Sequence, residues 1–324
     1  MRASSSRDPA GWTTPSVPAT GKDCPRLDEP CSPLPDGLSI DVEDYYHVEA
    51  FADRISPETW AQFPSRVADN TRRILELLNR LGARATFFVL GWVAEREPRL
   101  VREIADAGHE VGCHSYLHRC VWRLGREEFR EDTRRARLAI EDAAAQKVVG
   151  YRAPTFSIVQ KSLWAIEILA EEGFLYDSSV FPIRHDRYGI PGAPRFPFQW
   201  VCRSGRTLFE IPPLTVRVLG WNLPVGGGGY LRILPTWYTR WAVRRVRRYD
   251  RQPLLVYFHP WELDPEQPRM SGKWGSVLRH YFNLGRMQER VCELLTHGRF
   301  VAFADFLDSQ RVQGPLPTRA IAPD

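Results

Sequence analysis

The sequence of 324 residues has no long apolar run and no apolar stretch behind its first arginine. A membrane-spanning helix needs about 18 to 20 apolar residues, and a secretory signal needs an apolar segment after its basic start. The sequence predicts neither, so we expect a cytoplasmic protein. It also has no nucleic-acid-binding motif, and its net charge of +5 is too small to indicate a nucleic-acid partner.

Disulfide and phosphate-loop patterns are missing as well. The chain has six cysteines but no CxxC pair, and it is too long to depend on a disulfide framework, so reduced thiols are expected. The glycine run VGGGGY at 225–230 is not followed by GK[ST] and is therefore not a phosphate-binding loop. We expect a flexible segment whose backbone lies close to substrate or to another loop.

The remaining sequence shows a regular alternation of two patterns. Residues 1–36 are rich in Pro, Ser, Thr and Gly without periodicity, which predicts a disordered leader. From Leu38 onward, short apolar runs such as LSIDVED and ARATFFVLG alternate with helical patterns, the first of them over 65–81. This alternation predicts an α/β fold, and about seven units favour a distorted parallel (β/α)7–8 barrel over an open sheet.

The barrel is expected to occupy residues 37–310. Within it, the stretch 181–250 contains many Pro and Gly residues and interrupts the alternation. We therefore expect an elaborated loop region there, at the start of a C-terminal extension from about 181. Residues 311–324 are expected to form a frayed tail.

Polar residues follow five of the predicted strands: Asp41, His114, Arg152, Asp177 and His259. Each stands at the carboxyl end of a different strand. Because the carboxyl ends of barrel strands meet at one mouth, these side chains are expected to lie close together.

Two histidines and an acidic run suggest a metal site. His114 and His118 in HSYLH are four residues apart, which on a helical turn places both imidazoles on one side. Three acids in DVED, residues 41–44, would repel one another at a buried strand end without a cation. Two histidines and one carboxylate favour a divalent metal, with Zn²⁺ first and Ni²⁺, Co²⁺ or Mn²⁺ as alternatives.

The acids of this run can divide the chemistry between them. One carboxylate can bind the metal while another remains free as a general base. Asp41 and Glu43 share one face of the strand, whereas Asp44 points away or into the loop.

The set DVED, HSYLH, YRAP, YDSS and YFHP, in this order, resembles the five motifs of carbohydrate esterase family 4. These are the polysaccharide deacetylases related to the nodulation chitooligosaccharide deacetylases, and the resemblance covers roughly residues 38–310. Longer strings, SIDVEDYYHVEAF, YDSSVFPIRHDRYGIPG, GGGYLRILP and FHPWELDPEQPR, are similar to the subfamily encoded beside exosortase and exopolysaccharide gene clusters.

The resemblance implies a NodB-like deacetylase barrel. It implies that the protein removes N-acetyl groups from an amino-sugar polysaccharide by metal-dependent hydrolysis and that it acts in exopolysaccharide biosynthesis. It implies that Asp41 is the general base and that Arg152 orients it. His259 matches the general acid, and Asp177 lies in the fourth motif. The substrate would be an acetylated amino-sugar polymer or a lipid-linked oligosaccharide.

The resemblance makes His114 and His118 metal ligands but leaves the acidic ligand open. The family pattern has two adjacent aspartates, whereas this chain has Asp-Val-Glu-Asp. Alignment by the first acid makes Asp41 the base and either Glu43 or Asp44 the ligand, with Asp44 preferred. Alignment by the adjacent acids makes Glu43 the base and Asp44 the ligand.

Four neighbours of these motifs are candidate substrate-binding residues: Tyr151, Pro154, Trp261 and Glu262. Ordinary packing accounts equally well for the tryptophan. Two other functions remain open at this stage. One is a metallohydrolase of another small amide or phosphoester, since fold does not fix reaction class. The other is a glycan-binding protein without catalysis.

One basic segment has two interpretations. The stretch PTWYTRWAVRRVRRYDRQ places Arg240, Arg244, Arg247 and Arg251 on one helical face. A solvated amphipathic helix explains this pattern, and attraction to an anionic membrane surface or a charged glycan intermediate is the alternative. Nothing in the sequence predicts an oligomeric state.

Overall fold

A computed structural model describes residues 34–321. The strands are β1 (Asp36–Val42), β2 (Thr86–Val89), β3 (Glu110–Cys113), β4 (Gly150–Tyr151), β5 (Tyr176–Asp177), β6 (Phe198–Val201), β7 (Thr207–Glu210), β8 (Thr215–Val218), β9 (Trp221–Pro224), β10 (Leu255–Phe258), β11 (Phe300–Val301) and β12 (Thr318–Ala320). The α-helices are α1 (Val67–Leu81), α2 (Gly91–Arg96), α3 (Pro98–Asp106), α4 (Arg126–Ala144), α5 (Trp164–Glu171), α6 (Gly228–Ile233), α7 (Thr236–Arg245), α8 (Trp274–Tyr281), α9 (Met287–Leu295) and α10 (Phe303–Gln313).

Ten of these strands form one sheet, in the order β10-β1-β2-β3-β4-β5-β7-β6-β12, and β11 pairs with the beginning of β1. Along this order, every neighbouring pair from β10 through β5 to β7 is parallel. Within this sheet, β6 and β7 are the only antiparallel pair. Parallel strands connected by helices place all their carboxyl ends at one edge. The predicted α/β fold with a parallel sheet is confirmed.

The strand ladder does not close into a complete barrel. Single backbone hydrogen bonds bridge the gap instead: Leu214 N–H donates to the Leu255 carbonyl at 2.8 Å, and Tyr257 N–H donates to the Gly226 carbonyl at 2.8 Å. Strands β8 and β9 form a separate antiparallel hairpin. The residues on either side of this hairpin make these two hydrogen bonds, in the position where a closed barrel would have a further strand. The barrel is distorted at this position, and its hydrogen-bonded sheet is open.

The core is continuous from the first strand to the last. One cluster of buried side chains runs from Leu38 in β1 to Ile321 just after β12. Helix α1 shows how the sequence builds it, because Val67, Ile74 and Leu78 follow the helical period and are all buried in this cluster. Burying apolar side chains of this size contributes about 1.5–3 kcal/mol each.

Two expectations about chain organisation are corrected. The stretch 181–250 interrupts the βα alternation as expected, but it is not a loop throughout, because it contains four strands and two helices. The tail expected at 311–324 includes β12, which pairs in parallel with β6. Most of the leader expected at 1–36 lies outside the described residues, and β1 already begins at Asp36.

No helix among residues 34–321 combines the length and the apolar character that crossing a bilayer requires. The four cysteines among residues 34–321, Cys113, Cys120, Cys202 and Cys292, form no disulfide with one another.

Candidate metal and active site

Three of the five residues predicted at strand ends, Asp41, His114 and His259, line one cleft, and Arg152 lies behind Asp41. Asp41 lies at the end of β1, and His114, Arg152 and His259 directly follow β3, β4 and β10. The cleft has a volume of about 200 Å³. Its lining includes acids and histidines, the aromatic residues Phe156, Tyr188, Tyr257 and Trp261, and the exposed Arg187 and Arg279.

Glu43, His114 and His118 form a buried group whose ligating atoms all lie within 4.8 Å of one another. Within residues 34–321, no other group of three such side chains comes together. Glu43 Oε2 is 2.8 Å from His118 Nε2, yet no donor forms a hydrogen bond with this buried oxygen. An unsatisfied buried carboxylate oxygen beside two imidazoles fits a divalent cation.

The two histidines are arranged by a loop and not by the helical turn expected from their spacing. Residues 114–118 are not helical, and Ser115 and His118 both have positive φ values, 67° and 53°. This loop brings the imidazole centroids to 5.4 Å. The expectation of a helical HxxxH pair is therefore corrected, although the two side chains still meet.

The hydrogen bond of His114 fixes which nitrogen is free. Its Nδ1 is 2.8 Å from the backbone carbonyl of Arg152, and a carbonyl can only accept, so Nδ1 carries the proton and Nε2 keeps its lone pair. Burial lowers the pKa of His114 to about 4, so the ring is neutral at pH 7. A neutral imidazole held through its other nitrogen is the usual form of a metal-ligating histidine.

The preference for Asp44 as the acidic ligand is corrected by the position of its carboxylate. Asp44 accepts hydrogen bonds from Ser65 Oγ at 2.7 Å and from the backbone N–H groups of Arg66 and Val67. These are the first N–H groups of α1, which have no partner within the helix. Asp44 thus stabilises the start of α1 and lies outside the cluster, whereas Glu43 lies in it.

Asp41 is held from beneath by a buried arginine. Arg152 Nη1 donates to Asp41 Oδ1 at 2.8 Å and also to Ser39 Oγ, while its Nε and Nη2 donate to the carbonyl and hydroxyl oxygens of Ser178. Asp41 and Arg152 are both almost completely buried. With one oxygen fixed in this way, Asp41 Oδ2 faces the cleft, 3.8 Å from His259 Nε2.

His259 is oriented from the opposite side by Glu262. Its Nδ1 is 2.9 Å from Glu262 Oε2, and its Nε2 faces the cleft, 3.6 Å from Glu43 Oε1. Burial alone would lower the pKa of His259, but the carboxylates of Glu262, Glu43 and Asp41 outweigh it and raise this pKa to about 9. His259 therefore carries a proton at pH 7 on a nitrogen that faces the cleft.

Glu262 was expected to contact substrate but is completely buried behind His259. Arg232 donates from Nε to Glu262 Oε1 at 2.7 Å. Burial would raise the pKa of Glu262, but the positive charges of Arg232 and His259 outweigh this effect and lower the pKa to about 2. Gly228 lies so close that a Cβ there would be 1.7 Å from Glu262 Oε2. The glycine run expected to be flexible is thus the start of α6, and its small residues admit the Glu262 carboxylate.

Trp261 lies in the cleft and also orients the cluster. Its indole N–H donates to Glu43 Oε1 at 3.1 Å, and its ring stacks between the rings of His259 and His280. It is therefore both a cleft-lining residue and a partner of the candidate metal ligand.

Three other candidates do not reach the cleft. Asp177 is completely buried and bonded to Ser179, and it contacts Glu210, whose pKa is raised well above its ordinary value by burial and by the neighbouring Asp177. Asp177 is therefore not part of the cleft lining. Tyr151 packs between Phe129 and Phe174, with ring centroids 5.8 and 5.7 Å away, and Pro154 is buried beside the cleft-lining residues 155–156.

Arg232 and Gly228 are the site residues that the sequence analysis did not assign. The signal for them was the string GGGYLRILP, which was noted as distinctive but given no chemistry. Nothing in its spacing indicates that Arg232 contacts Glu262, because the two residues are 30 positions apart.

Two family models match the chain in adjacent segments. Residues 58–170 match "Polysaccharide deacetylase", and residues 178–308 match "Domain of unknown function (DUF3473)". The first segment supplies His114, His118 and Arg152. The second supplies His259 with its partners Glu262 and Arg232, so the candidate site combines residues of both segments.

Curated relatives match about a third of the chain. A peptidoglycan-N-acetylglucosamine deacetylase of Bacillus cereus is 33% identical over 98 residues, which is 30% of this chain and 36% of that protein. A chitooligosaccharide deacetylase of Sinorhizobium fredii is 31% identical over 100 residues, 31% of this chain and 44% of that protein. The chain thus spans less than half the length of these relatives.

Solved structures share the fold along most of the chain. A polysaccharide deacetylase structure from Mycobacterium smegmatis has a TM-score of 0.57 and 22% identity and covers 96% of this chain and 99% of its own. An allantoinase structure has a TM-score of 0.55 and 14% identity and covers 86% and 90%. These likenesses establish the fold alone. Over residues 58–170, about a third of its length, the chain matches the polysaccharide deacetylase family.

Proposed function

We propose that this chain is a divalent-metal-dependent hydrolase that removes N-acetyl groups from an amino-sugar polymer. The observation that carries the proposal is the arrangement of three parts around one cleft. The Glu43–His114–His118 group can hold a cation, Asp41 is held by Arg152, and a protonated His259 faces both. This is the set of groups that metal-assisted amide hydrolysis needs.

Glu43, His114 and His118 would hold the metal, and zinc is proposed because one carboxylate and two imidazoles are ligands that zinc prefers. The residues fit this ion, since Glu43 Oε2 is buried without a hydrogen-bond donor and His114 Nε2 is free. When bound, the ion supplies Lewis acidity, which polarises the amide carbonyl and makes a water molecule easier to deprotonate.

Asp41 and His259 would move the protons. Asp41 Oδ2 accepts a proton from the attacking water, while Arg152 keeps the other oxygen fixed and the carboxylate oriented. His259 donates the proton on Nε2 to the nitrogen of the departing sugar amine. Glu262 and Arg232 keep the His259 ring in place during this transfer.

The proposed substrate class rests on the cleft and on the relatives. The ring of Trp261 and those of Tyr188 and Phe156 give the cleft apolar faces that suit sugar rings. The relatives named above are a peptidoglycan-N-acetylglucosamine deacetylase and a chitooligosaccharide deacetylase. We propose further that the natural polymer is an exopolysaccharide or its lipid-linked precursor, which the strings SIDVEDYYHVEAF and FHPWELDPEQPR support by resemblance.

Acetate release from N-acetylglucosamine oligomers by the purified chain tests this proposal. Release should stop with a chelator, return when zinc is restored, and be absent in His114→Ala. The His259→Ala variant should bind zinc nearly as tightly as the wild type but turn over more slowly, by about 10²- to 10⁴-fold, because it loses only the general acid.

Other outcomes would favour the alternatives. Hydrolysis of a small non-sugar amide without sugar-amide cleavage would indicate a different metallohydrolase, a possibility consistent with the allantoinase that shares the fold. Binding of polymer by the zinc-loaded chain without any acetate release would indicate a glycan-binding protein.

A further inference from the structure

One long segment of the chain is basic and has no acidic residue. Between Glu210 and Asp250 there are seven arginines and three tryptophans but no Asp, Glu or Lys. All 39 acidic residues lie in the rest of the sequence, where they are interspersed with the remaining basic residues. This segment forms β8, β9, α6 and α7, and none of its residues belongs to the Glu43–His114–His118 group.

Helix α7 presents an aromatic and basic face to solvent. Trp237, Trp241 and Arg244 lie on α7, and Arg248 lies on the π-helical turn Val246–Asp250 that continues it. Their spacings of four, three and four residues place them on one side, and all four are exposed. The opposite side is buried and apolar, and it includes Val243. The predicted arginine face is partly corrected here, because Arg247 points inward and pairs with Asp36.

The β8–β9 hairpin lies alongside this face. Tyr238 donates its hydroxyl proton to the Pro224 carbonyl at 3.2 Å, and Arg245 Nε donates to the Arg217 carbonyl at 3.3 Å. These two contacts attach α7 to both strands of the hairpin. We call the exposed residues of the hairpin, of α7 and of the turn that continues α7 the hairpin–α7 surface. Its members are Arg217, Leu219, Trp221, Leu223, Trp237, Trp241, Arg244 and Arg248.

The hairpin tip carries apolar side chains into solvent. Leu219 is 95% exposed and Trp221 is 55% exposed. Leu219 and Gly220 form the turn with φ values of 47° and 84°, a conformation that costs energy for leucine. A soluble surface gains nothing from leucine at this position, whereas a leucine and a tryptophan at a tip are suited to insertion into an apolar layer.

We propose that the hairpin–α7 surface binds a bilayer containing anionic lipids. Tryptophan side chains favour the boundary between headgroups and acyl chains, and arginines attract anionic headgroups. Arg217, Arg244 and Arg248 form no ion pair with any carboxylate in the described part of the chain, so their charges are available. A second copy of the chain fits this surface less well, because a symmetric contact would bring the same arginines together.

The surface lies beside the entrance of the cleft. The Arg184 guanidinium lies over the Trp221 ring, 5.0 Å from its centroid, and Asn222 donates to the Pro182 carbonyl at 2.8 Å. The same loop continues to Tyr188, which lines the cleft. Membrane binding would therefore bring the cleft close to a saccharide attached to a lipid. This consequence rests on the proposed deacetylase function, whereas the proposal of membrane binding does not.

Sedimentation of the full chain with lipid vesicles tests the proposal without any enzymatic readout. Binding should be strong with vesicles of phosphatidylcholine and phosphatidylglycerol, weak with phosphatidylcholine alone, and reduced by added salt. Arg244→Ala and Arg248→Ala should each lower the partition coefficient, on the order of fivefold per arginine. Trp221→Ala and Trp237→Ala should lower it on both kinds of vesicle.

Matched controls separate this surface from general effects of charge and hydrophobicity. Arg102 on α3 and Leu138 on α4 are exposed in the same way but lie outside the surface. Arg102→Ala and Leu138→Ala should therefore leave the partition coefficient unchanged, and a melting curve for every variant should show that it is folded. Loss of binding in these controls equal to that in Arg244→Ala would overturn the assignment of the surface.

Three further results would also overturn the proposal. They are no sedimentation with either kind of vesicle, equal sedimentation with both, and a dimer in solution that Trp237→Ala dissociates. The last result would assign the surface to a second copy of the chain. Failure of acetate release together with intact vesicle binding would reject the proposed function alone.

Discussion

Neighbouring acids at the end of β1 have different partners. Glu43 lies with His114 and His118, whereas Asp44 accepts hydrogen bonds from the start of α1. Glu43→Gln should therefore weaken zinc binding by at least about 10- to 100-fold with little loss of stability. Asp44→Asn should keep the zinc affinity and lower the free energy of unfolding by about 1 kcal/mol, since both carboxylate oxygens accept hydrogen bonds and a carboxamide has only one accepting oxygen.

Zinc titration calorimetry and urea unfolding of both variants measure these two effects. The matched pair has the same chemical change at adjacent positions, so each variant is the control of the other. Zinc binding lost in Asp44→Asn and kept in Glu43→Gln would reverse the assignment.

The carboxylate of Glu262 acts through His259. Removing its charge in Glu262→Gln should lower the His259 pKa from its raised value of about 9, because the imidazolium loses its nearest counter-charge. Activity that depends on protonated His259 is lost as pH rises through this pKa, so the alkaline limb of the kcat profile should move to lower pH. We expect kcat to fall by about 10- to 100-fold.

A pH profile of kcat, with zinc affinity measured in parallel, checks this prediction. Glu262→Asp keeps the charge on a shorter side chain and should retain more of the alkaline limb than Glu262→Gln. A purely structural role of Glu262 would lower kcat in both variants without moving the limb.

At the scale of elements, the start of α1 connects the two sides of the site. Asp44, next to Glu43, caps this helix, and Arg66 at the same end pairs with Asp264, which follows the turn carrying His259 and Glu262. Asn70 also donates to Asp264, at 3.1 Å. One helix terminus therefore fixes the segments that carry the proposed metal ligand Glu43 and the proposed general acid His259.

The Asp264 contacts make the stability of the fold depend on pH. Burial would raise the pKa of Asp264, but the hydrogen bonds from Arg66 and Asn70 outweigh it, so the pKa lies below its ordinary value. The contribution of Asp264 is then complete above its unfolded pKa of about 3.9 and is lost as pH falls through the lower folded value. Asp264→Asn should be less stable at pH 7 by about 1–3 kcal/mol.

Urea unfolding at several pH values tests this expectation. The difference between Asp264→Asn and the wild type should shrink as the pH falls below about 4, because the wild type then loses the same charge. Asp308, an exposed residue on α10 that pairs with Arg311 on the same helix, provides a control, and Asp308→Asn should change little at any pH. A constant difference across the pH range would show that the ion pair is not the cause.

At the scale of the whole molecule, the C-terminal segment completes the sheet. Strand β12 pairs with β6, and Ile321 is buried in the core. A chain that ends after Gln313 should melt at least about 2 °C lower, because it loses a strand and a buried isoleucine. Its zinc affinity should be unchanged, since β12 lies at the far end of the sheet from β1 and β3.

Calorimetric melting of this truncated chain and of one that ends after Ile321 tests the contribution. The longer chain retains β12 and should melt like the full chain. Equal melting of both truncated chains at the wild-type temperature would show that β12 contributes nothing to stability.

The sequence by itself determined the parallel α/β architecture and the convergence of four strand-end residues. Both follow from local patterns, since apolar runs and helical periods are visible in the sequence and parallel strands must align their carboxyl ends. Asp41, His114, Arg152 and His259 could therefore be placed in one site without coordinates. The five motifs also indicated the family that residues 58–170 match.

Only the tertiary structure decided between Glu43 and Asp44, moved Asp177 away from the cleft and placed Arg232 behind Glu262. Each of these depends on a contact between residues far apart in the chain, such as Asp44 with Arg66 or Arg232 with Glu262. Local spacing determines which face of a strand a side chain occupies, but not which distant helix or carboxylate meets it there. The partners of buried charged groups are therefore determined by how the elements pack together.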